Sequence, residues 1–428
     1  MPGDDDGLKT LARTIERIEQ LLERLPLDVA KDARVRIATL RMVLLEKRPP
    51  ALVLVGRRGA GKSSVVNALF GAKVAELGHV TAQTGKGRWY KYERGGGAMS
   101  ILDTRGVQEG SVPAEADAAK SALESIAVEL RAQAPDAVVF VAKASEVDAA
   151  IDADLDALEH VYDEIRRAHR LEPPLIAVVT HCDLLEPKET RLHAADREPD
   201  GTSAARPQRG RELDADVDEK KRHVAAAEQA VARKIDGRDK LRPRLVATLG
   251  TSVYMSWKSD GTLRSDERWR VDDLAVTLFR HLPDASRAEL ARATQVRAVQ
   301  EDLATSLTQA TAAVCAGVGA APIPFADTIP LTALQTGLVA GIAWIGGRSA
   351  DKKGTAEFIG ALSANLGLAL GLREGFRQLM KVIAPGGGSV VSATIAFTGT
   401  MAIGAAAKAY YIRGVSLTDA RRVFRRKK

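Results

Sequence analysis

An unbroken apolar run, Ala51-Leu52-Val53-Leu54-Val55, leads straight into Gly56-Arg57-Arg58-Gly59-Ala60-Gly61-Lys62-Ser63. No other feature constrains the fold of this chain as strongly. Five apolar residues without polar alternation are the pattern of a parallel strand covered on both faces. The segment after them has the spacing GxxxxGKS, and residues of helical character follow it. Glycines there let successive backbone N–H groups turn inward around a β-phosphate, and a helix starting near Lys62 adds its positive end. Lys62 is expected to reach the β- and γ-phosphates. Ser63 is expected to ligate Mg²⁺, and Ser64 beside it is expected to line the nucleotide site.

The rhythm set by that strand continues. Apolar runs recur at Met99–Leu102, Ala137–Ala142, Leu175–Thr180 and Leu245–Thr248. Helical stretches such as Asp117–Gln133 and Ala149–Arg170 lie between them. Alternation of this kind predicts an α/β fold with a doubly wound, mainly parallel sheet.

At 428 residues the chain is too long for one typical core. We divide it into a helical hairpin over 1–48, a phosphate-binding domain over 49–283 and a helical, apolar region over 284–428. In the hairpin, Leu8, Leu11, Ile15, Ile18, Leu22 and Leu25 fall at three- and four-residue steps, which is one helical stripe. Residues 187–245 read as a polar insertion between two strands. Its first half (Ala194–Arg211) is expected to be mobile, its second (Asp214–Lys234) helix-prone, and the whole disordered.

Further residues stand where a triphosphate switch needs them. Ile101-Leu102-Asp103-Thr104-Arg105-Gly106 is a strand ending in DxxG. Asp103 can hold Mg²⁺ through a water, and the Gly106 N–H can sense a γ-phosphate. Thr81 and Thr84 lie between the two motifs, and one hydroxyl there is expected to complete the Mg²⁺ shell. Thr84 is preferred, because the strand beginning near Arg88 follows it closely. After Leu175–Val179 comes Thr180-His181-Cys182-Asp183. The Asp183 carboxylate can accept from the guanine N1–H and exocyclic amine together, a donor pair that adenine lacks. Thr251-Ser252-Val253 is read as a last loop whose backbone faces the guanine O6.

With these four motifs in view, residues 50–282 resemble an Era-like small GTPase domain of the translation-factor class, with Arg105 where proline is usual and His181 where lysine is usual. The loss of lysine removes an aliphatic cover for the base and a contact to the phosphate loop. Residues 300–412 resemble a bacterial helical domain of unknown function that accompanies such GTPases. That likeness is carried by Ala321–Asp327, Leu331–Gln335, Ala384–Gly387 and Gly399–Gly404. The two resemblances span about four fifths of the chain.

The resemblance implies GTP and GDP as ligands, Mg²⁺ as cofactor, and hydrolysis by in-line attack of water on the γ-phosphate. Val107 stands where many GTPases place a water-orienting glutamine, so slow intrinsic hydrolysis is expected. Gly59 replaces the asparagine of potassium-activated relatives, which argues against potassium activation. Arg57 and Arg58 have two readings: a guanidinium that stabilises transition-state charge, or a solvated pair that only raises local potential.

Three stretches carry no charge: Leu303–Ala326, Thr328–Gly347 and Val382–Ala407. Their length suits a bilayer, but they are rich in Ala, Gly and Thr, and Pro322 and Pro324 interrupt the first. Asp327 and Gln335 are expected in the turn between the first two stretches. We expect peripheral or hairpin insertion at the cytoplasmic face of the inner membrane, with the basic tail (Arg421, Arg422, Arg425, Arg426, Lys427, Lys428) against anionic lipid. The alternative is a soluble bundle that packs on the GTPase or on a sister subunit. A homodimer or an effector protein remains open.

The chain's net charge of +7 agrees with an anionic partner. Nucleic acid is set lower, since no RNA-binding module is recognisable. Two distant cysteines, Cys182 and Cys315, and an acidic N-terminus without an apolar core point to a reducing cytoplasm and no secretory signal. Two further readings stay open: a ribosome-associated GTPase, and a scaffold that binds nucleotide, barely hydrolyses and acts through assembly.

Overall fold

A computed structural model describes residues 12–13, 15–16, 19–20, 23, 34–35, 37–38, 41, 45–75, 88–103, 122–147, 151–192, 208–320, 331–348, 352–363 and 389–427. Thr81, Thr84, Thr104, Arg105, Gly106, Val107, Pro322, Pro324 and Asp327 lie outside these residues. The chain forms two compact units. One is Pro49–Pro283, and the other joins Met1–Arg48 to Asp284–Lys428.

The first unit is built on a six-stranded sheet in the order β2-β3-β1-β4-β5-β6. Its strands are β1 (Ala51–Val55), β2 (Trp89–Arg94), β3 (Gly97–Asp103), β4 (Ala137–Lys143), β5 (Leu175–Thr180) and β6 (Leu245–Gly250). Every neighbouring pair is parallel except β2 with β3. The apolar runs become the central strands because both faces are covered. All of β1 and β5 is buried, as is β4 up to Ala142. Val53, Val55, Val138, Phe140, Ala177 and Val179 point to one face. Helices α2 (Ala122–Ala132), α3 (Ile151–His169) and α4 (Gln208–Asp236) cover it with Ile126, Leu130, Leu155, Leu158, Val224 and Val231. On the other face α1 (Lys62–Phe70) touches α5 (Val271–His281), and α5 touches β6. A short hairpin, β7 (Met255–Trp257) with β8 (Leu263–Asp266), stands outside the sheet.

One expectation is corrected here. The second half of the polar segment at 187–245 is not disordered. It is α4, a 29-residue helix that crosses from β5 to the parallel strand β6. A parallel pair requires such a crossover. Val217, Val224, Val231 and Ile235 bury one stripe of α4. The charged remainder misleads because that face meets water and ion partners. Lys234 reaches Asp152 at 2.8 Å, and Arg238, just past the helix end, reaches Asp156 at 2.5 Å.

The second unit contains α6 (Asp284–Thr294), α7 (Arg297–Ala320), α8 (Leu331–Ile345), α9 (Lys352–Ser363), α10 (Ser389–Ala407) and α11 (Leu417–Lys427). Helices α7 and α10 form the broadest pair. Their approach is close because Gly404 has no side chain: a Cβ there would overlap the Thr308 side chain. Hydroxyls inside α7 stay satisfied by the preceding turn. Thr305, Thr308 and Thr311 donate to the carbonyls of Glu301, Ala304 and Leu307.

Polar bonds also tie this unit together. Gln300 Nε2 donates to Ile345 O (3.1 Å), Lys408 Nζ to Thr305 Oγ1 (2.7 Å), and Arg413 grips Glu301 through two nitrogens (2.8 and 2.7 Å). Gln335 is not in a turn. It sits in α8 and donates to Thr400 Oγ1 of α10 at 3.3 Å. Among the described residues, no helix is long and apolar enough to cross a membrane.

The N-terminal segment belongs to this same unit. Ile15 and Ile37 are buried, and Arg41 bonds Glu19 at 2.9 Å. Lys47 pairs with Glu289 at 3.3 Å, and its ammonium lies 4.4 Å from the Trp344 ring centroid, with the Arg292 guanidinium 4.3 Å from the same centroid. Arg48 N donates to Ala285 O at 2.9 Å, which brings the two connections to the sheet domain side by side.

Candidate functional site

The C-terminal ends of β1, β3 and β5 meet at one edge of the sheet, where ligands of doubly wound folds bind. After β1 the chain turns through Gly56, Gly59 and Gly61, all with positive φ. Gly56 is required by proximity, since a Cβ there would fall inside the Val141 carbonyl oxygen. Gly61 caps α1 in the left-handed region at φ 93°. No side chain caps this helix end, and its first turn holds no acidic residue. The first N–H groups of α1 thus face outward without a competing carboxylate, which is what an anion requires.

Lys62 is 8% exposed, and its ammonium lies back over the loop, donating to Gly56 O (2.7 Å) and Arg57 O (3.1 Å). Ser63 and Ser64 follow on the first turn. Asn67 fixes the exit of α1 by accepting from the Val74 and Ala75 amides and donating to Ala75 O. Asp103 ends β3 opposite Leu54 of β1, so its carboxylate lies at the same sheet edge as Ser63. A hydroxyl and a carboxylate are hard oxygen donors that fit Mg²⁺. Thr84 and Gly106, the other expected Mg²⁺ and γ-phosphate groups, fall outside the described residues.

The two loop arginines part company. Arg57 is not a solvated partner of Arg58. Its Nε donates to Asp154 Oδ2 of α3 at 2.8 Å, and Nη1 lies 3.8 Å from Glu146. Burial pushes the Asp154 carboxyl above the usual carboxylate range, and the Arg57 guanidinium opposes that. Arg58 is exposed.

The loop after β5, expected from the sequence to read a base, abuts the phosphate loop. Thr180, 0% exposed, donates its hydroxyl proton to Ala60 O at 2.6 Å. That proton is then committed, so His181 Nδ1, at 2.9 Å from the same oxygen, is the N–H donor. His181 takes φ 59°, and its Cε1 would lie 3.4 Å from a Cβ on Gly61. Contact with the phosphate loop expected to vanish with the lysine is therefore kept, by Thr180 and the imidazole. Burial holds the His181 pKa below its ordinary value, against the raising influence of Asp183. Cys182 beside it is fully buried, with its thiol pushed up to about 12 by burial, so it is unreactive.

Thr251 and Ser252 stand in the loop after β6. Both are buried, and their amides are already used: Thr251 N donates to Val179 O (2.8 Å) and Ser252 N to Trp269 O (3.2 Å). Thr251 Oγ1 donates to Trp269 O at 2.6 Å. These residues hold the last loop against β5. Next to them Glu228 of α4 accepts from Gly250 N (2.5 Å) and Arg270 Nη1 (2.7 Å).

Sequence reasoning missed one group at this edge. Lys220 of α4 is 0% exposed and donates to three carbonyls of the loop that carries Asp183. Its signal was present: Lys220 stands on the apolar stripe of Val217, Val224 and Val231.

A family model described as 50S ribosome-binding GTPase matches residues 51–181. No curated protein sequence matches the chain. Among solved structures, Toc33 from Arabidopsis thaliana with GDP and Mg²⁺ is 16% identical, with 64% of this chain and 95% of that one covered at a TM-score of 0.33. A structure of the chloroplast translocon components atToc33 and psToc159 is 17% identical, covering 60% and 91%, at 0.34. Era in complex with MgGDPNP and 16S ribosomal RNA is 16% identical, covering 62% and 67%, at 0.29. The family match and the strand order establish a P-loop GTPase domain within the Pro49–Pro283 unit.

Proposed function

We propose that this chain binds GTP with Mg²⁺, hydrolyses it slowly to GDP and phosphate, and acts as a switch. The observation that carries this reading is the 2.6 Å bond from Thr180 to Ala60, which ties a phosphate loop to a base-reading loop at one sheet edge. Gly56, Arg57, Arg58, Gly59, Ala60, Gly61, Lys62, Ser63 and Ser64 would embrace the phosphates through the loop and the α1 N-terminus. Ser63, Asp103 and Thr84 would hold Mg²⁺, which when bound offsets charge between the β- and γ-phosphates. Thr180, His181 and Asp183 would hold guanine, with the Asp183 carboxylate accepting from its two donors.

Lys62 supplies the positive charge, and Gly106 an amide for the γ-phosphate. Arg58, exposed on the same loop, would reach the phosphates, and Arg57 bonds Asp154. An Arg58→Ala variant with unchanged kcat removes it from catalysis. Val107, where many GTPases place a water-orienting glutamine, supports a low intrinsic rate.

The output is assigned to the helical unit, whose basic last helix suits an anionic surface or an acidic partner. Single-turnover phosphate release from GTP, alone and with anionic liposomes or RNA, tests the reading. Acceleration by liposomes, with flotation of the protein, supports the membrane-coupled switch. Acceleration by RNA turns the assignment to a ribosome-associated GTPase. Phosphate release no faster than the buffer blank, with GTP still bound, makes the chain a scaffold. Asp183→Asn is expected to move preference from GTP to xanthosine triphosphate.

A further inference from the structure

We infer that Lys220 is a positioning residue for base selection, acting through the backbone that carries Asp183. The inference rests on the guanine-binding reading above. Lys220 lies in the first half of α4, far along the chain from the loop it touches. Its Nζ is 2.6 Å from Asp183 O, 2.8 Å from Thr190 O and 3.1 Å from Pro187 O. An ammonium has three N–H bonds and no acceptor. Here all three go to main-chain carbonyls within one segment of eight residues, Asp183–Thr190. The charge therefore draws both ends of that segment and its middle onto a single point.

A buried charge of this kind is expensive unless every proton is used. An apolar residue would fit the stripe of Val217 and Val224 at lower cost. What a lysine adds is a rigid loop. The first residue gripped is Asp183 itself, held at its own carbonyl. The carboxylate can rotate about the side chain but its Cα cannot drift. His223, about one turn along α4, adds a further bond to the Glu186 carbonyl at 2.8 Å. The loop is thus set by α4, a helix separate in sequence from the phosphate loop and α1. Selectivity for the base and affinity for the phosphates can then be separated by mutation.

The experiment compares GDP with IDP, which lacks the exocyclic amine, by competition against a fluorescent nucleotide on the full-length protein. The wild type is expected to prefer GDP by at least about tenfold, since Asp183 loses one donor with IDP. Lys220→Met should weaken GDP at least about tenfold and IDP far less, so that the ratio falls toward one. Phosphate release at saturating GTP should change little, since no group at the phosphates moves. Lys220→Arg, which keeps the charge and donors, should retain most of the ratio.

A merely structural lysine would reduce the folded fraction and leave the ratio intact. A folded Lys220→Met protein with the wild-type ratio overturns the inference. If Lys220→Met gives no folded protein, Lys220→Gln is read by the same ratio, with the same two outcomes. A wild type that shows no GDP preference, and an Asp183→Asn variant that gains none for the xanthine nucleotide, would overturn the guanine reading and the inference with it. A wild type that discriminates while both lysine variants discriminate equally overturns the inference alone.

Discussion

Thr180→Val tests whether the two nucleotide loops work as one body. Valine keeps the shape of threonine and removes the hydroxyl. The hydroxyl sits 2.6 Å from Ala60 O, and neither residue has any exposed surface. Stranding a buried acceptor costs about 1–3 kcal/mol. In the free protein the phosphate loop can relax so that the Ala60 carbonyl finds water. With nucleotide bound, the loop N–H groups are fixed by phosphate oxygens and that escape closes. The cost therefore falls mainly on the complex, which corresponds to a Kd raised by about 5- to 150-fold. Fluorescent GDP binding and its dissociation rate measure this directly. Thr180→Ser, which keeps the hydroxyl, should stay within about threefold of wild type. A folded Thr180→Val protein whose Kd lies within about twofold of wild type would refute the coupling.

Three further outcomes are expected. Gly56→Ala should abolish nucleotide binding while leaving the fold in place, because its Cβ overlaps the Val141 carbonyl and the phosphate loop must shift; equilibrium dialysis and circular dichroism check both halves. Gly404→Val should destabilise the helical unit by about 1–3 kcal/mol through forced separation of α7 and α10, read as a lower urea midpoint. The His181 pKa is lowered by burial, so below about 6.5 the unfolded chain binds more protons than the native one, and stability falls as pH drops from there toward the folded pKa. Amide exchange of Val178 and Val179 should follow that fall in the wild type and follow it less in His181→Asn, which tolerates the left-handed backbone.

The sheet was legible because its central strands are apolar without interruption, and burial on both faces allows little else. The phosphate loop was legible because its glycines are needed locally, at Gly56 by a carbonyl and at Gly61 by a helix cap. What escaped depends on contacts distant in sequence. The character of α4 was hidden by its charged face, since only a partner at Asp152 makes Lys234 part of a packed helix. Arg57 read as a solvated or catalytic arginine until Asp154, 97 residues away, claimed it. Thr251 and Ser252 read as a base loop, and the partners of their amides, Val179 and Trp269, were not legible in the sequence. Gln335 looked like a turn residue because its acceptor, Thr400, lies 65 residues further on.

The bond from Arg48 to Ala285 has a bearing on how the protein is made. The helical unit is discontinuous in sequence: its opening portion is translated first and its remainder only after residue 283. Lys47 must wait for Glu289, Arg292 and Trp344 before its surroundings exist. The sheet domain, by contrast, is contiguous and can close while it emerges from the ribosome. Synthesis therefore allows an order in which the sheet domain is complete in sequence before the helical unit is.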